Sequence, residues 1–342
     1  MDRFGATGAL DPAFGVGGSV LAPPAAAGAR PALARDLLVL TDGAILVTGT
    51  SCGGTSGECT TTEPVLWRML PSGALDLGFG SGGVVQLPLG GLEAGVVQAV
   101  ERPGGETYVL TSTFTADTNG PSFVHGFTDR GLLDTSFGAG GVRQLPEAST
   151  PELLAVDSAD RAVLVGYQYT AVDAELRVER LRADGADDAG FANALEPAPE
   201  PGWLPDLSMQ TDGRIVITLA DDAGLSYVRL LEDGDPDLTI GPDGRAQIAL
   251  VGGDVGHAPR AAELDGLDRV LFAGIDPRTV AGSSDWQETS FVGRLLPPAL
   301  EVPGVPRAVS ASGGAAAVTV NWSPPISGGA RPPTTSSCSP EA

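Results

Sequence analysis

The chain has 342 residues and carries 43 acidic against 20 basic side chains, a net charge of −23 at neutral pH. Every basic residue is arginine; a nucleic-acid partner needs a basic surface to displace counterions, so the balance argues against one. No apolar run is long enough to span a bilayer, so no transmembrane segment is expected, and 48 glycines with 28 prolines fit a turn-dense all-β chain.

The start, MDRFGATG, has neither the basic n-region nor the apolar h-region of a secretory signal. Arg3 with Gly8 matches the spacing that closes a strand further on (Arg68 with Gly73, Arg180 with Gly185, Arg229 with Gly234). The chain is therefore expected to begin inside an earlier repeat, as a fragment or from a misassigned start.

The predicted elements then recur. G-x-L-D-x-x-F-G-x-G-G stands at 8–18 (GALDPAFGVGG), 73–83 (GALDLGFGSGG) and 131–141 (GLLDTSFGAGG), with weaker copies GADDAGF at 185–191 and GDPDLTIGPDG at 234–244. The repeat aspartates are Asp11, Asp76, Asp134, Asp188 and Asp237, spaced 65, 58, 54 and 49 residues apart. Each is followed three residues later by Phe14, Phe79, Phe137, Phe191 and finally Ile240. A period of this length suits one four-stranded unit. After the glycines comes a short strand (84–87, 142–145, 246–250), then a hairpin: LLVL-TDG-AILVTG in unit one, VQAV-ERPGGE-TYVLTS in unit two, LLAV-DSADR-AVLVGY in unit three, LSMQ-TDG-RIVITL in unit four and AAEL-DGLD-RVLFAG in unit five. Asp-Gly and Gly-Gly tolerate positive φ and mark tight hairpins. A last strand closes each unit at 65–70, 123–128, 177–181, 227–231 and 291–296. Consecutive apolar runs such as AILV and AVLV suit sheets covered on both faces. Four-stranded sheets stacked radially make a β-propeller, so the predicted fold is all-β, a propeller-like array of about five four-stranded units.

LDxxFGxGG, the Asp-Gly hairpin and a strand ending R-L-x-x-x-G together resemble the delta-60 repeat family over residues 1–297. The resemblance implies a propeller-like array in a secreted or surface-attached bacterial protein and supplies no catalytic residues. Residues 298–303 read as a proline-stiffened linker. From 304 the sequence resembles the opening of a fibronectin type III domain, with strand A at 307–310, strand B at 317–322 bearing Trp322, and a Ser-Pro-Pro turn. The match stops near residue 329, too short to bury a core. A truncated β-sandwich stub at 304–342, with its last ~13 residues disordered, is expected.

Charged residues recur in register. Arg3, Arg68, Arg180, Arg229 and Arg294 share one place in the closing strand, and Gly126 breaks the column in unit two. The repeat Asp lies eight residues after four of these arginines, which predicts that each Arg pairs with a repeat Asp of its own or a neighbouring unit and fastens the joint between units, since a guanidinium fork takes a carboxylate bidentately. The alternative is an arginine ring around an anion. Cys52 and Cys59 share a loop rich in Thr, Gly and Ser and are expected to form a disulfide in an oxidising compartment. Asp233, Asp235 and Asp237 resemble the opening of a calcium loop but lack its Gly at position six and Glu at position twelve, where Leu238 and Gly244 stand; calcium is the one cofactor these residues raise, and an acidic turn is the default. Neither His125, in a strand, nor His257, in a loop, belongs to a legible catalytic set, and no Gly-x-Ser-x-Gly elbow occurs.

The reading is a monomeric, non-catalytic secreted or cell-surface module that binds an extracellular protein or glycan, with loops 50–63, 115–121 and 276–288 as candidate contacts. The alternatives are a polysaccharide-active enzyme or accessory using loop carboxylates, and an inactive fragment of a larger surface protein.

Overall fold

A computed structural model describes residues 1–21, 33–53, 61–87, 89, 93–114, 119–146, 149–169, 174–192, 195–197, 203–221, 224–241, 243–248, 258–265, 269–279, 286–294, 307–313, 318–323 and 335–338. Among them the regular elements are all strands. The first sheet holds β1 (Leu33–Val39), β2 (Ile45–Gly53), β3 (Thr61–Met69) and β4 (Val84–Gln86), antiparallel and in chain order. The second repeats this with β5 (Glu93–Glu101), β6 (Thr107–Phe114), β7 (Asn119–Phe127) and β8 (Val142–Gln144). The third holds β9 (Thr150–Val156), β10 (Ala162–Tyr169), β11 (Ala174–Leu181) and β12 (Leu195–Pro197), and the fourth β13 (Trp203–Met209), β14 (Ile215–Asp221), β15 (Gly224–Leu230) and β16 (Arg245–Ile248). The fifth has three described strands, β17 (Ala258–Leu264), β18 (Val270–Thr279) and β19 (Trp286–Arg294). The chain is thus an all-β, propeller-like array.

Turn chemistry sets the first hairpin of each sheet. Between β1 and β2 the Leu40 amide bonds the Ala44 carbonyl at 2.8 Å and Gly43 takes φ 81°, which its missing Cβ permits. Asp160 stands in the glycine's place between β9 and β10 at φ 62°, a conformation aspartate tolerates better than most side chains. The innermost strand of each sheet carries a register irregularity five or six residues before this turn (Ala34/Asp36, Val96/Gln98, Trp203/Asp206, Pro259/Ala261, and Gly166 opposite Pro151). A bulge bends a strand and sharpens its twist, so each sheet bends at its innermost strand.

One boundary differs from the sequence reading. The short strand after the glycines does not open a new unit; it closes the sheet before it, as in Val65↔Gln86 and Phe123↔Gln144. The repeat motif is therefore the hairpin loop between third and fourth strands, and a strand pairs most readily with the one its own turn folds it against. The motif at 8–18 accordingly has only a remnant of a strand before it, bridged Asp2↔Ser19.

Apolar residues collect where sheets face one another. Leu46 and Leu66 of the first sheet meet Ala99 and Val109 of the second; Tyr108 and Val124 of the second meet Leu154 and Leu164 of the third; Val163 and Val178 of the third meet Leu207 and Ile217 of the fourth. Phe79, Phe137 and Phe191 lie one in each of these three layers, and Phe14 packs on Trp67 and Val47 at the leading face of the first sheet. The tail forms a separate three-stranded sheet, β20 (Arg307–Gly313), β21 (Val318–Ser323) and β22 (Thr335–Cys338). β20 and β21 cover the expected strands A and B; β22 lies in the segment for which no order was expected.

Candidate functional site

The repeat motif builds one joint several times over. The repeat Asp amide bonds the carbonyl eight residues back: Asp11 to Arg3 at 2.8 Å, and Asp76 to Arg68, Asp188 to Arg180 and Asp237 to Arg229 at 2.9 Å each. Asp Oδ1 accepts the amide two residues on, at 2.9–3.2 Å in all five copies, an Asx turn that leaves Oδ2 free to face the arginine. Arginine and aspartate meet there at 2.8 Å (Arg3–Asp11), 3.1 Å (Arg68–Asp76), 2.7 Å (Arg180–Asp188) and 2.9 Å (Arg229–Asp237). The Arg294 side chain lies outside the described residues.

The same groups reach the next unit. The Arg3, Arg68 and Arg180 guanidinium groups donate to the Pro71, Asp129 and Glu232 carbonyls of the following motif turn. The residue after each repeat Phe donates its amide there as well: Gly15 to Ser72 at 2.8 Å, Gly80 to Arg130 at 2.8 Å, Gly138 to Asp184 at 2.9 Å and Ala192 to Asp233 at 2.8 Å. Guanidinium carbons of Arg3 and Arg180 lie 4.5 and 4.4 Å from the Phe14 and Phe191 ring centres, within cation–π range. The first Gly of each following motif is pressed against the Phe: a Cβ on Gly131 would stand 2.8 Å from Phe79 Cε2, and one on Gly234 2.9 Å from Phe191 Cε2.

In unit two, where Gly126 replaces the arginine, Arg102 from the β5–β6 turn takes over. It is 5 % exposed, bonds Asp134 at 2.9 Å and Asp160 of the next sheet at 2.8 Å, and lies 4.4 Å from the Tyr108 ring centre. Sequence reading missed this residue. Its signal was a charge reversal: Arg102 and Glu106 occupy the places that Asp157 and Arg161 hold in unit three, and both pairs close at 3.4 and 2.6 Å. Ser136 and then Arg102 hold Asp134 below the usual carboxylate range. For Asp188 burial pulls the other way, and Arg180 and the Gly190 amide outweigh it, lowering the carboxyl. Arg102 is raised despite its burial, because Asp160 and Asp134 accept from it.

The remaining candidates fall elsewhere. His125 is buried in β7 between Phe123 and Phe127, its Nε2 3.0 Å from Thr111 Oγ1, and burial lowers its pKa to about 4. His257 and Cys59 lie outside the described residues, as does the Cys52 side chain, so the expected disulfide falls there too. Asp237 accepts from Arg229 Nε at 2.9 Å and lies 3.0 Å from Arg214 Nε, so of the three expected calcium-loop carboxylates this one is already faced by two guanidinium groups. Among the described residues no three metal-ligating side chains converge. A cleft of about 360 Å³ is lined by Arg161, Arg180, Leu231, Glu232 and Asp233, but both arginines are engaged by Asp157, Asp188 and Glu232, which leaves little positive charge for an anion. No helix among the described residues is long and apolar enough to cross a membrane.

Strand direction separates two rims. The β1–β2 turn and the motif loop emerge on one rim, where Arg68 joins Asp42 to Asp76. The strand ends that lead from β2 to β3, from β6 to β7 and from β18 to β19 lie on the other; of the expected contact loops, 50–53, 61–63, 119–121, 276–279 and 286–288 are strand residues, and 54–60, 115–118 and 280–285 lie outside the described residues.

No family model and no curated protein matches the chain. Among solved structures it is similar to a Bacteroides caccae protein of unknown function (11 % identity, 70 % of each chain covered, TM-score 0.42). It is also similar to a calcium-binding protein, regucalcin, from Agrobacterium tumefaciens (16 %, 71 % of this chain and 68 % of that one, TM-score 0.40). A third similarity is to the polysaccharide lyase Uly1 (11 %, 78 % and 58 %, TM-score 0.47).

Proposed function

We propose that the chain is a non-catalytic binding or display module of a secreted or cell-surface protein, and that it holds an extracellular protein or glycan on the rim opposite the joints. The observation that carries this reading is the placement of charge. The recurring Arg and Asp side chains face each other within joints, and the buried histidine sits between two phenylalanines with a threonine hydroxyl at its Nε2. The strand ends that lead into the expected contact loops, by contrast, lie on the opposite rim, and loops carried by a rigid scaffold are where recognition concentrates. The delta-60 resemblance, with a fibronectin-type stub behind it, supports export and a role as part of a larger surface protein.

The test is a panel of soluble extracellular polysaccharides and matrix proteins presented to the immobilised chain, with retention and release of reducing sugar read together. Saturable retention without sugar release, lost when residues 115–118 are deleted, is the expected result. Turnover abolished by one Asp or Glu substitution in a loop would replace this reading with the polysaccharide-active one.

A further inference from the structure

Among the described residues, two faces of the array have no sheet packed on them as the interior faces do. On the first sheet, Leu37 of β1 is 52 % exposed. Its counterparts, three residues before the hairpin residue in the next three sheets, are Ala99, Leu154 and Leu207, all buried in joints. Leu33 and Val39 beside it are exposed too. Residues 1–21 cover part of that face, but they do so over β2 and β3, through Phe14 on Val47 and Trp67. On the fifth sheet, Val292 of β19 is 82 % exposed, whereas its counterparts Leu66, Val124 and Val178 are buried. Leu271 and Ala273 of β18 lie on the same face, Ala273 paired with Val292, and are half-buried.

The interior joints show what belongs on each face. Leu154, from the leading face of the third sheet, packs among Tyr108, Leu110 and Val124, from the trailing face of the second. Leu207 packs in the same way among Val163, Val165 and Val178. The trailing half of such a joint stands uncovered on the fifth sheet and the leading half on the first. The geometry points to head-to-tail association of two copies of this chain, the fifth sheet of one copy seated on the first sheet of the next.

A second copy is the occupant because each chain carries both complementary halves, and a contact between two different surfaces of identical chains propagates rather than closing as a symmetric pair. The edge of β19 adds to this. The third strand of each of the first four sheets pairs with a short fourth strand, while β19 is the outer strand of its sheet among the described residues. An unpaired edge is a template for another strand. The net charge of −23 opposes contact between copies, so added salt should strengthen the association by screening.

The experiment is sedimentation velocity on the full chain from micromolar to millimolar concentration, with Leu37→Asp and Val292→Asp beside it. Both sites are exposed in the single chain, so circular dichroism should show each variant folded; Leu37→Ser and Val292→Ser serve if either is not. The expected result is a wild-type mass that grows with concentration and with salt, monomeric single variants, and a two-chain species in their equal mixture, since each variant keeps one intact half. A wild type that stays monomeric at millimolar concentration overturns the proposal. If the two substitutions then lower the unfolding midpoint non-additively, the faces meet within one chain. Growth that neither substitution touches also overturns it, because another surface is then responsible.

Discussion

Replacing Arg102 by Met removes from the joint between the second and third sheets the cation that reaches both Asp134 and Asp160, at 2.9 and 2.8 Å. Breaking a fully buried pair from one side costs about 3–5 kcal/mol, because the abandoned carboxylate stays in low dielectric. Asp134 and Asp160 keep 15 % and 23 % of their side-chain surface in water, which lets solvent recover part of that loss; about 2–3 kcal/mol remains. Arg3 and Asp11 form a related pair at a half-exposed position, where solvent screens the charges and removal costs less. Urea unfolding followed by tryptophan fluorescence and far-ultraviolet circular dichroism compares Arg102→Met with Arg3→Met. The first should lose at least twice as much stability, with a midpoint drop of about 3–5 °C on heating. Equal losses in the two variants, or a loss below about 1 kcal/mol at Arg102, would refute the reasoning that burial sets the weight of each joint.

Two further predictions concern acid and glycine. His125 is neutral in the folded chain down to about pH 4 but takes a proton below about pH 6.5 when unfolded. The unfolded state then binds more protons, so stability falls as pH drops from 6.5 to 4, by about 3 kcal/mol in total. Asp206, raised by burial to about 6, acts in the opposite sense between pH 6 and 3.8. His125→Gln should flatten the acid limb and Asp206→Asn steepen it; an unchanged limb in both variants contradicts the assignment. Gly131→Ala puts a Cβ 2.8 Å from Phe79 at φ 71°, at a cost of about 2–4 kcal/mol from strain and overpacking. Gly82→Ala has a similar φ of 66° and nothing within 4 Å, so it should cost about 1–2 kcal/mol; equal denaturant midpoints would show that the Phe–Gly contact is loose.

The joint was legible because each of its residues has its own chemistry. Gly131 and Gly234 need positive φ and have no room for a Cβ, Asp76 and Asp188 must accept two amide or guanidinium donors at once, and Phe137 must fill the space between sheets. Such positions tolerate few replacements, so they recur visibly. The sheet boundary was less legible, because a short strand such as 84–86 carries no mark of which neighbour it pairs with. β12 escaped notice because Leu-Glu-Pro has no alternation to read. Arg102 was hidden by a compensating exchange, in which one unit reversed the sign of its hairpin pair. The burial of His125 could not be inferred from counterparts as unlike as Trp67, Glu179 and Val228, since that place takes whatever the adjoining sheet leaves room for.

The central claim is that each recurring arginine is held by the repeat aspartate of its own unit and so belongs to no catalytic or anion-binding set. The most direct measurement is a double-mutant cycle on Arg180 and Asp188, which meet at 2.7 Å. Unfolding free energies of Arg180→Ala, Asp188→Ala and the double variant should be non-additive, with a coupling of about 1–3 kcal/mol. Strictly additive losses would contradict the claim and return both side chains to the list of groups free to act on a ligand.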